Sequence, residues 1–323
     1  ASYRNISSIE PLYSGGPAVF SPDKDLLYCI QDESVNIIET ASSTIVKHID
    51  LKANLLTALS IHPKGHIFAA AANSLMLFVV NALSGEVIKQ FRAHDAPIVD
   101  ITFHPTLDLF ATASADRTVR VFDFNGQCKS YLRGHKSMVT GVAFNPVPEV
   151  PHLLSYSSDS SLIVWDITTN RMIRSFDEHL GGINSISVIQ CDGGCIIASG
   201  SMDKSVCIYI YDEASGEYHT HISRPIYRTA DCIVIRKRIE LIENSIYSQE
   251  PLTVKISNPD DTMTKKKKRG KKKVISKHDK LMSIKENILP WYEVVISSSE
   301  TCEVICVSAL TLKPFPVSKD DII

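Results

Sequence analysis

The sequence predicts an all-β propeller built from repeated four-stranded units, and three observations carry that prediction. The segments TASADRTVRVFD (112–123), SYSSDSSLIVWD (155–166) and SGSMDKSVCIYI (199–210) align without gaps. Their aspartates Asp116, Asp159 and Asp203 stand 43 and 44 residues apart, and a histidine precedes each run, at His94, His135 and His179. That period, with His ahead of the first strand and Trp-Asp ending the third, is the period of a propeller blade. Apolar residues alternate or form short runs, punctuated by Gly, Asn and Pro, as strands require and helices do not.

The units follow in order along the chain. Unit one is PAVFSPDKDLLYCIQDESVNIIET, with FSPD turning the chain after its first strand. Unit two is LTALSIHPKGHIFAAAANSLMLFVVN, where HPKG makes that turn and no aspartate occupies the 116/159/203 position. Units three to five are the aligned repeats. In the fourth, VTGVAFNP, LLSYSS, LIVWDI and MIRSFD read as four successive strands. Unit six starts at TADCIVI, breaks off, and resumes at WYEVVISSSETCEVICVSALTL. Six units are visible. Because an open ring leaves an unpaired edge, residues 6–13 are expected to pair into the last blade.

His, Ser and Asp in one unit are also the ingredients of a nucleophilic triad. The set His135, Ser157, Asp159, Trp165 recurs as His94, Ser114, Asp116, Phe122 and as His179, Ser201, Asp203, Tyr209. An active site is built once; a set repeated in three units at matching offsets predicts structure. The pattern resembles the WD-repeat family, which implies that these four positions form a hydrogen-bonded tetrad tying the inter-blade loop to the strands. A satisfied buried network of that kind fixes geometry. The resemblance also implies seven blades in the full protein, one more than the six repeats visible. No catalytic residue and no cofactor are expected, and no small-molecule substrate.

Charge is unevenly placed. The run Lys265, Lys266, Lys267, Lys268, Arg269, Gly270, Lys271, Lys272, Lys273 holds eight of the 34 Lys and Arg, leaving 26 against 36 Asp and Glu, a net of −10 elsewhere. It lies in a segment, 236–290, that interrupts the sixth unit and reads as an insertion loop in a propeller spanning 1–323. Like charges repel and bury nothing, so the run predicts a disordered basic insert serving localisation or RNA contact. No aromatic residue interleaves with the lysines, which argues against base stacking. The eight cysteines include Cys29, Cys207 and Cys232 inside apolar strand patterns, where a thiol behaves as a small hydrophobe. The pairs Cys191/Cys195 and Cys302/Cys306 have no second half that would close a zinc site, so no metal is predicted. With no basic leader on ASYRNISSIEP and no long apolar run, the sequence predicts a soluble intracellular chain with no membrane contact.

The opening IEPLYSGGPAVFSPDKDLLYCIQDESVNIIETAS carries a closer likeness, with I-E-P-x-Y-x-G-G, V-N-I-x-E and then L-T-A opening unit two. These features, with PIVDITFHPTLDLFATASADRTVRVFD in unit three, resemble the tandem WD-repeat, transducin-beta-like subunit family of the UTP-B part of the small-subunit processome. The likeness covers roughly residues 6–235 and 291–312. It implies that this chain is the first propeller of a longer protein, and a non-catalytic scaffold for other protein subunits. It further implies pre-rRNA processing, small-subunit ribosome biogenesis, contact with pre-rRNA or snoRNA, and the nucleolus within the nucleus. The lysine-rich insert departs from the family pattern. A WD-repeat adaptor of another complex, such as a ubiquitin-ligase substrate receptor, is the rival expectation.

Overall fold

A computed structural model describes residues 17–226, 229–238, 291–297 and 302–308. Two compact units divide the chain, the first being Ala1–Arg236 with Val294–Ile305 and the second Lys237–Glu293 with Cys306–Ile323. The sheets belong to the first unit, and only the strands of the sixth run past its bounds.

Five four-stranded antiparallel sheets follow one another, each an up-and-down meander of neighbouring strands. The first holds β1 (Ala18–Phe20), β2 (Leu26–Gln31), β3 (Ser34–Glu39) and β4 (Thr44–Asp50). The second holds β5 (Leu56–Ile61), β6 (Ile67–Ala72), β7 (Met76–Asn81) and β8 (Val87–Arg92). The third holds β9 (Ile98–Phe103), β10 (Leu109–Ser114), β11 (Thr118–Asp123) and β12 (Cys128–Arg133). The fourth is β13 (Val139–Phe144), β14 (His152–Ser157), β15 (Leu162–Asp166) and β16 (Arg171–Phe176). The fifth is β17 (Ile183–Cys191), β18 (Gly194–Ser201), β19 (Ser205–Asp212) and β20 (Glu217–Pro225). A sixth sheet pairs β21 (Cys232–Arg238), β22 (Trp291–Ser297) and β23 (Cys302–Ser308) in that order. The lysine run and residues 6–13 lie outside the described residues, so the expected ring-closing strand does too; of the expected insert 236–290 only 236–238 are described, and they continue β21 rather than begin an insertion. Among the described residues no helix is long and apolar enough to cross a membrane.

The middle strands of the five four-stranded sheets are largely buried on both faces, which is why they read as continuous apolar runs. Phe68 to Ala72 and Leu77 to Val80 are all buried, as are Leu153, Leu154 and Leu162 to Trp165. Each core is shared between neighbouring sheets: Tyr28, Ile37, Phe68 and Val80 join the first to the second, and Leu77, Ile98, Phe110 and Phe122 the second to the third. Val121, Leu132, Leu153 and Trp165 join the third to the fourth, and Leu154, Phe176, Ile197 and Tyr209 the fourth to the fifth. No sheet could bury these faces alone, so each blade depends on the next.

Candidate functional site: the blade loops and a basic cleft

In the fourth blade the histidine sits at the centre of a continuous hydrogen-bonded set. His135 Nδ1 lies 3.2 Å from Asp159 Oδ2 and Nε2 lies 2.7 Å from Ser155 Oγ, while Trp165 Nε1 donates to Ser155 Oγ at 2.8 Å. The Trp165 N–H needs an acceptor, which leaves the Ser155 hydroxyl proton for His135 Nε2 and places the imidazole proton on Nδ1, facing Asp159. Ser161 Oγ adds a contact to His135 Nδ1 at 3.0 Å and donates to Asp159 Oδ1 at 2.5 Å. The Lys136 amide donates to Asp159 Oδ2 at 2.6 Å, so the carboxylate grips the inter-blade loop just past its histidine.

The third and fifth blades repeat this plan. His94 meets Asp116 Oδ2 at 2.9 Å and Thr112 Oγ1 at 2.7 Å, and His179 meets Asp203 Oδ2 at 3.2 Å and Ser199 Oγ at 2.7 Å. The amides of Asp95 and Leu180 donate to Asp116 Oδ2 and Asp203 Oδ2 at 3.2 and 2.7 Å. The residue after each aspartate is left-handed, with φ of 70° at Arg117, 67° at Ser160 and 62° at Lys204. None of the three is Gly or Asn, so nothing in composition marks the turn.

One expectation needs correcting. The histidines do not bond Ser114, Ser157 or Ser201; the hydroxyl they meet stands two residues earlier, at Thr112, Ser155 and Ser199. Positions four and two before the aspartate share a strand face, so pattern alone allowed both. The later serines brace the turn instead. Ser157 Oγ donates to Met138 O at 2.8 Å, Ser114 Oγ to Ala96 O at 3.0 Å and Ser201 Oγ to Gly181 O at 2.9 Å, and each accepts the amide of its own aspartate at 3.1 Å. The fourth position also divides. Trp165 completes the set, Phe122 has no polar atom, and the buried Tyr209 hydroxyl lies beside Ser199 and Cys207 without a well-formed hydrogen bond.

Electrostatics fit neutral histidines over ionised aspartates. Burial holds His135 and His179 below the usual imidazole value, against the pull of Asp159 and Asp203. Burial raises Asp159 and Asp203, but the Ser161 and Ser205 hydroxyls and the backbone amides outweigh it and hold both at about 2. Asp116 is likewise held well below the carboxylate range: burial opposes, and bonds from His94 and Thr118 prevail. Such groups are engaged in holding loops. Among the described residues no group of three His, Cys, Asp or Glu is placed to hold a metal, and the Cys195 thiol is pushed up to about 12, chiefly by burial.

The structure adds a feature that no motif announced. Beside the third-blade set lies a cleft of about 400 Å³ lined by Asp95, Asp116, Arg117, Thr118, Tyr131, Arg133, Gly134 and His135. The Arg120 and Arg133 guanidiniums pack on the Tyr131 ring at 4.7 and 4.5 Å from its centroid.

Repeated blades with loop-gripping His–Asp pairs give the fold class, a WD-repeat β-propeller. The WD domain, G-beta repeat family profile matches residues 85–123, 126–166 and 170–209, the three units that carry the pairs. Among individual proteins, the chain is 29% identical to transducin beta-like protein 3 of Rattus norvegicus over 238 residues, 73% of this chain and 29% of that protein. The Homo sapiens counterpart is 29% identical over 237 residues, 72% of this chain and 29% of that protein. Pre-mRNA-processing factor 19 of Bos taurus is 27% identical over 132 residues, 41% of this chain and 26% of that protein. The aligned region thus spans less than a third of the length of these relatives.

Proposed function

We propose that this chain is a non-catalytic scaffold propeller in a nuclear RNA-processing assembly, specifically the small-subunit processome, where it positions protein subunits during pre-rRNA processing in the nucleolus. The observation that carries the reading is the likeness to transducin beta-like protein 3 over nearly three quarters of the chain, where the pre-mRNA-processing factor matches only two fifths. The site chemistry supports it: the hydroxyls that meet the histidines of the three sets, Thr112, Ser155 and Ser199, are fully buried, so none is open to a substrate. On the same reading, the segment between β21 and β22 is an insertion within the sixth blade of a seven-bladed ring, with its basic run serving localisation first and RNA contact second.

The test is affinity purification of the tagged full-length protein, with identification of the proteins and RNA that accompany it. Recovery of a multi-subunit complex with pre-rRNA and small nucleolar RNA is the expected result. Ubiquitin-ligase subunits, or splicing proteins with pre-mRNA, would replace the processome assignment. A turnover activity lost in Ser155→Ala with the fold retained would overturn the non-catalytic one.

A further inference from the structure

We propose that the cleft between the third and fourth blades is a docking site for an acidic peptide segment of a partner protein, read through Arg117 and Arg133. The inference rests on the scaffold reading and gives it a place and a ligand chemistry.

The charge balance of the cleft is local and distinctive. Asp95 is already neutralised, its two oxygens reaching Arg92 at 3.5 Å and Arg120 at 3.4 Å. Asp116 is held by His94 and lies 3.7 Å from Arg120. Arg117 and Arg133 are both exposed, and neither has a carboxylate within ion-pair distance among the described residues. Two guanidiniums without a carboxylate partner, Arg117 and Arg133, therefore line a cleft whose two carboxylates are already engaged by His94, Arg92 and Arg120, on a chain whose charge outside the lysine run is −10. Arg133 is preorganised, since its Nε donates to Tyr131 Oη at 2.5 Å and its plane packs on the ring. Its two terminal nitrogens stay available as a planar fork, the geometry that suits a carboxylate. Tyr131 remains 39% exposed and holds the fork at the surface.

The same features disfavour RNA as the occupant. A single strand needs a track of cations with open aromatic faces, whereas here the cations form one compact cluster and the tyrosine already carries two guanidiniums. The acidic remainder of the chain repels an extended polyanion but tolerates a short acidic segment.

The probe is a fluorescein-labelled octapeptide of alternating Asp and Glu, titrated into the full chain at low salt. The controls are the Asn/Gln octapeptide and a uridine dodecanucleotide. Saturable binding of the acidic peptide alone is expected, with a loss of roughly tenfold or more in R117A/R133A as charge-assisted bonds are removed. R133K should recover only part of it, because an ammonium keeps the charge without the fork. Neutralising Lys265–Lys268 and Lys271–Lys273 should leave peptide affinity unchanged. Absence of saturable acidic-peptide binding, unchanged affinity in R117A/R133A, or preferential RNA binding lost in that variant would each overturn the proposal. A scaffold that still recovers its complex while the peptide fails to bind loses the cleft alone; wild type that recovers no complex loses the scaffold reading itself.

Discussion

A hydroxyl four residues before each turn aspartate joins two elements that would otherwise be tied only by packing. Ser155 serves His135 and Trp165 together, so Ser155→Ala leaves a buried ring nitrogen and a buried indole N–H without partners. The expected loss is ~2–4 kcal/mol in urea denaturation, and Ser157→Ala, which releases Met138 O and the Asp159 amide nearer the surface, should cost about 1–2 kcal/mol. Equal losses would mean that the two serines are interchangeable. Tyr209→Phe should change stability by less than about 1 kcal/mol, because it deletes a buried hydroxyl that lies beside Ser199 and Cys207 without a well-formed hydrogen bond. The histidines and aspartates were legible in the sequence because they recur at a fixed period. The choice between two hydroxyls on one strand face was not, since it depends on where the strand end meets the preceding loop. The cleft was illegible for the same reason: Arg117, in the turn between β10 and β11, comes together with Tyr131 and Arg133 of β12 only in the folded blade.

At the scale of elements, the first strands of the blades are stitched to one another by side chains. Thr57 Oγ1 on β5 donates to Ile98 O on β9 at 2.8 Å, and Thr140 Oγ1 on β13 donates to Ile183 O on β17 at 2.7 Å. Asp100 on β9 accepts the Val142 amide of β13 at 3.0 Å, and Ser185 and Ser187 on β17 accept the Ile233 and Ile235 amides of β21 at 3.2 and 3.0 Å. The bulge residues Thr57 and Thr140 fall where the register slips by one residue, which frees the hydroxyl to reach the next blade. Gly141 completes this seam, for a side chain there would collide with the Tyr156 hydroxyl. Gly141→Ala should therefore cost ~1–3 kcal/mol through displacement of Tyr156, measurable as a lowered melting temperature. Strand order and blade period were readable from alternation and turn residues. This seam was not, since Thr, Asp and Ser in strands carry no common motif. The basic run is an element of a different kind, and its charge alone makes a prediction. Replacing its seven lysines with glutamine should keep partner recovery in vitro and abolish nucleolar enrichment in imaging of tagged protein; retained enrichment would remove the localisation role.

At the scale of the whole molecule, the titrating groups of the blades pull stability in opposite directions with pH. His135 and His179 are depressed below 6.5 in the fold, so the unfolded chain takes up protons first, and their contribution is full above 6.5 and lost as pH falls. Asp159 and Asp203, held at about 2 against an ordinary 3.8, contribute above 3.8 and lose it as pH falls towards 2. Asp100 has the reverse sign. Although the residue keeps some exposure, its carboxylate is enclosed between β9 and β13, and burial pushes it up to about 6 despite bonds from the Val142 and Ile101 amides. Its contribution is present below 3.8 and lost as pH rises through 6, so the ionised form at neutral pH is a cost that the seam carries. Wild type should therefore hold its melting temperature between pH 6.5 and 4 better than Asp100→Asn, which retains the histidine losses without the offset. The difference, wild type minus variant, should be flat above about pH 6 and rise as pH falls from 6 towards 4 in scanning calorimetry. A gap that is constant with pH would mean that Asp100 titrates alike in the folded and unfolded chain, and that the carboxylate is solvated within the seam.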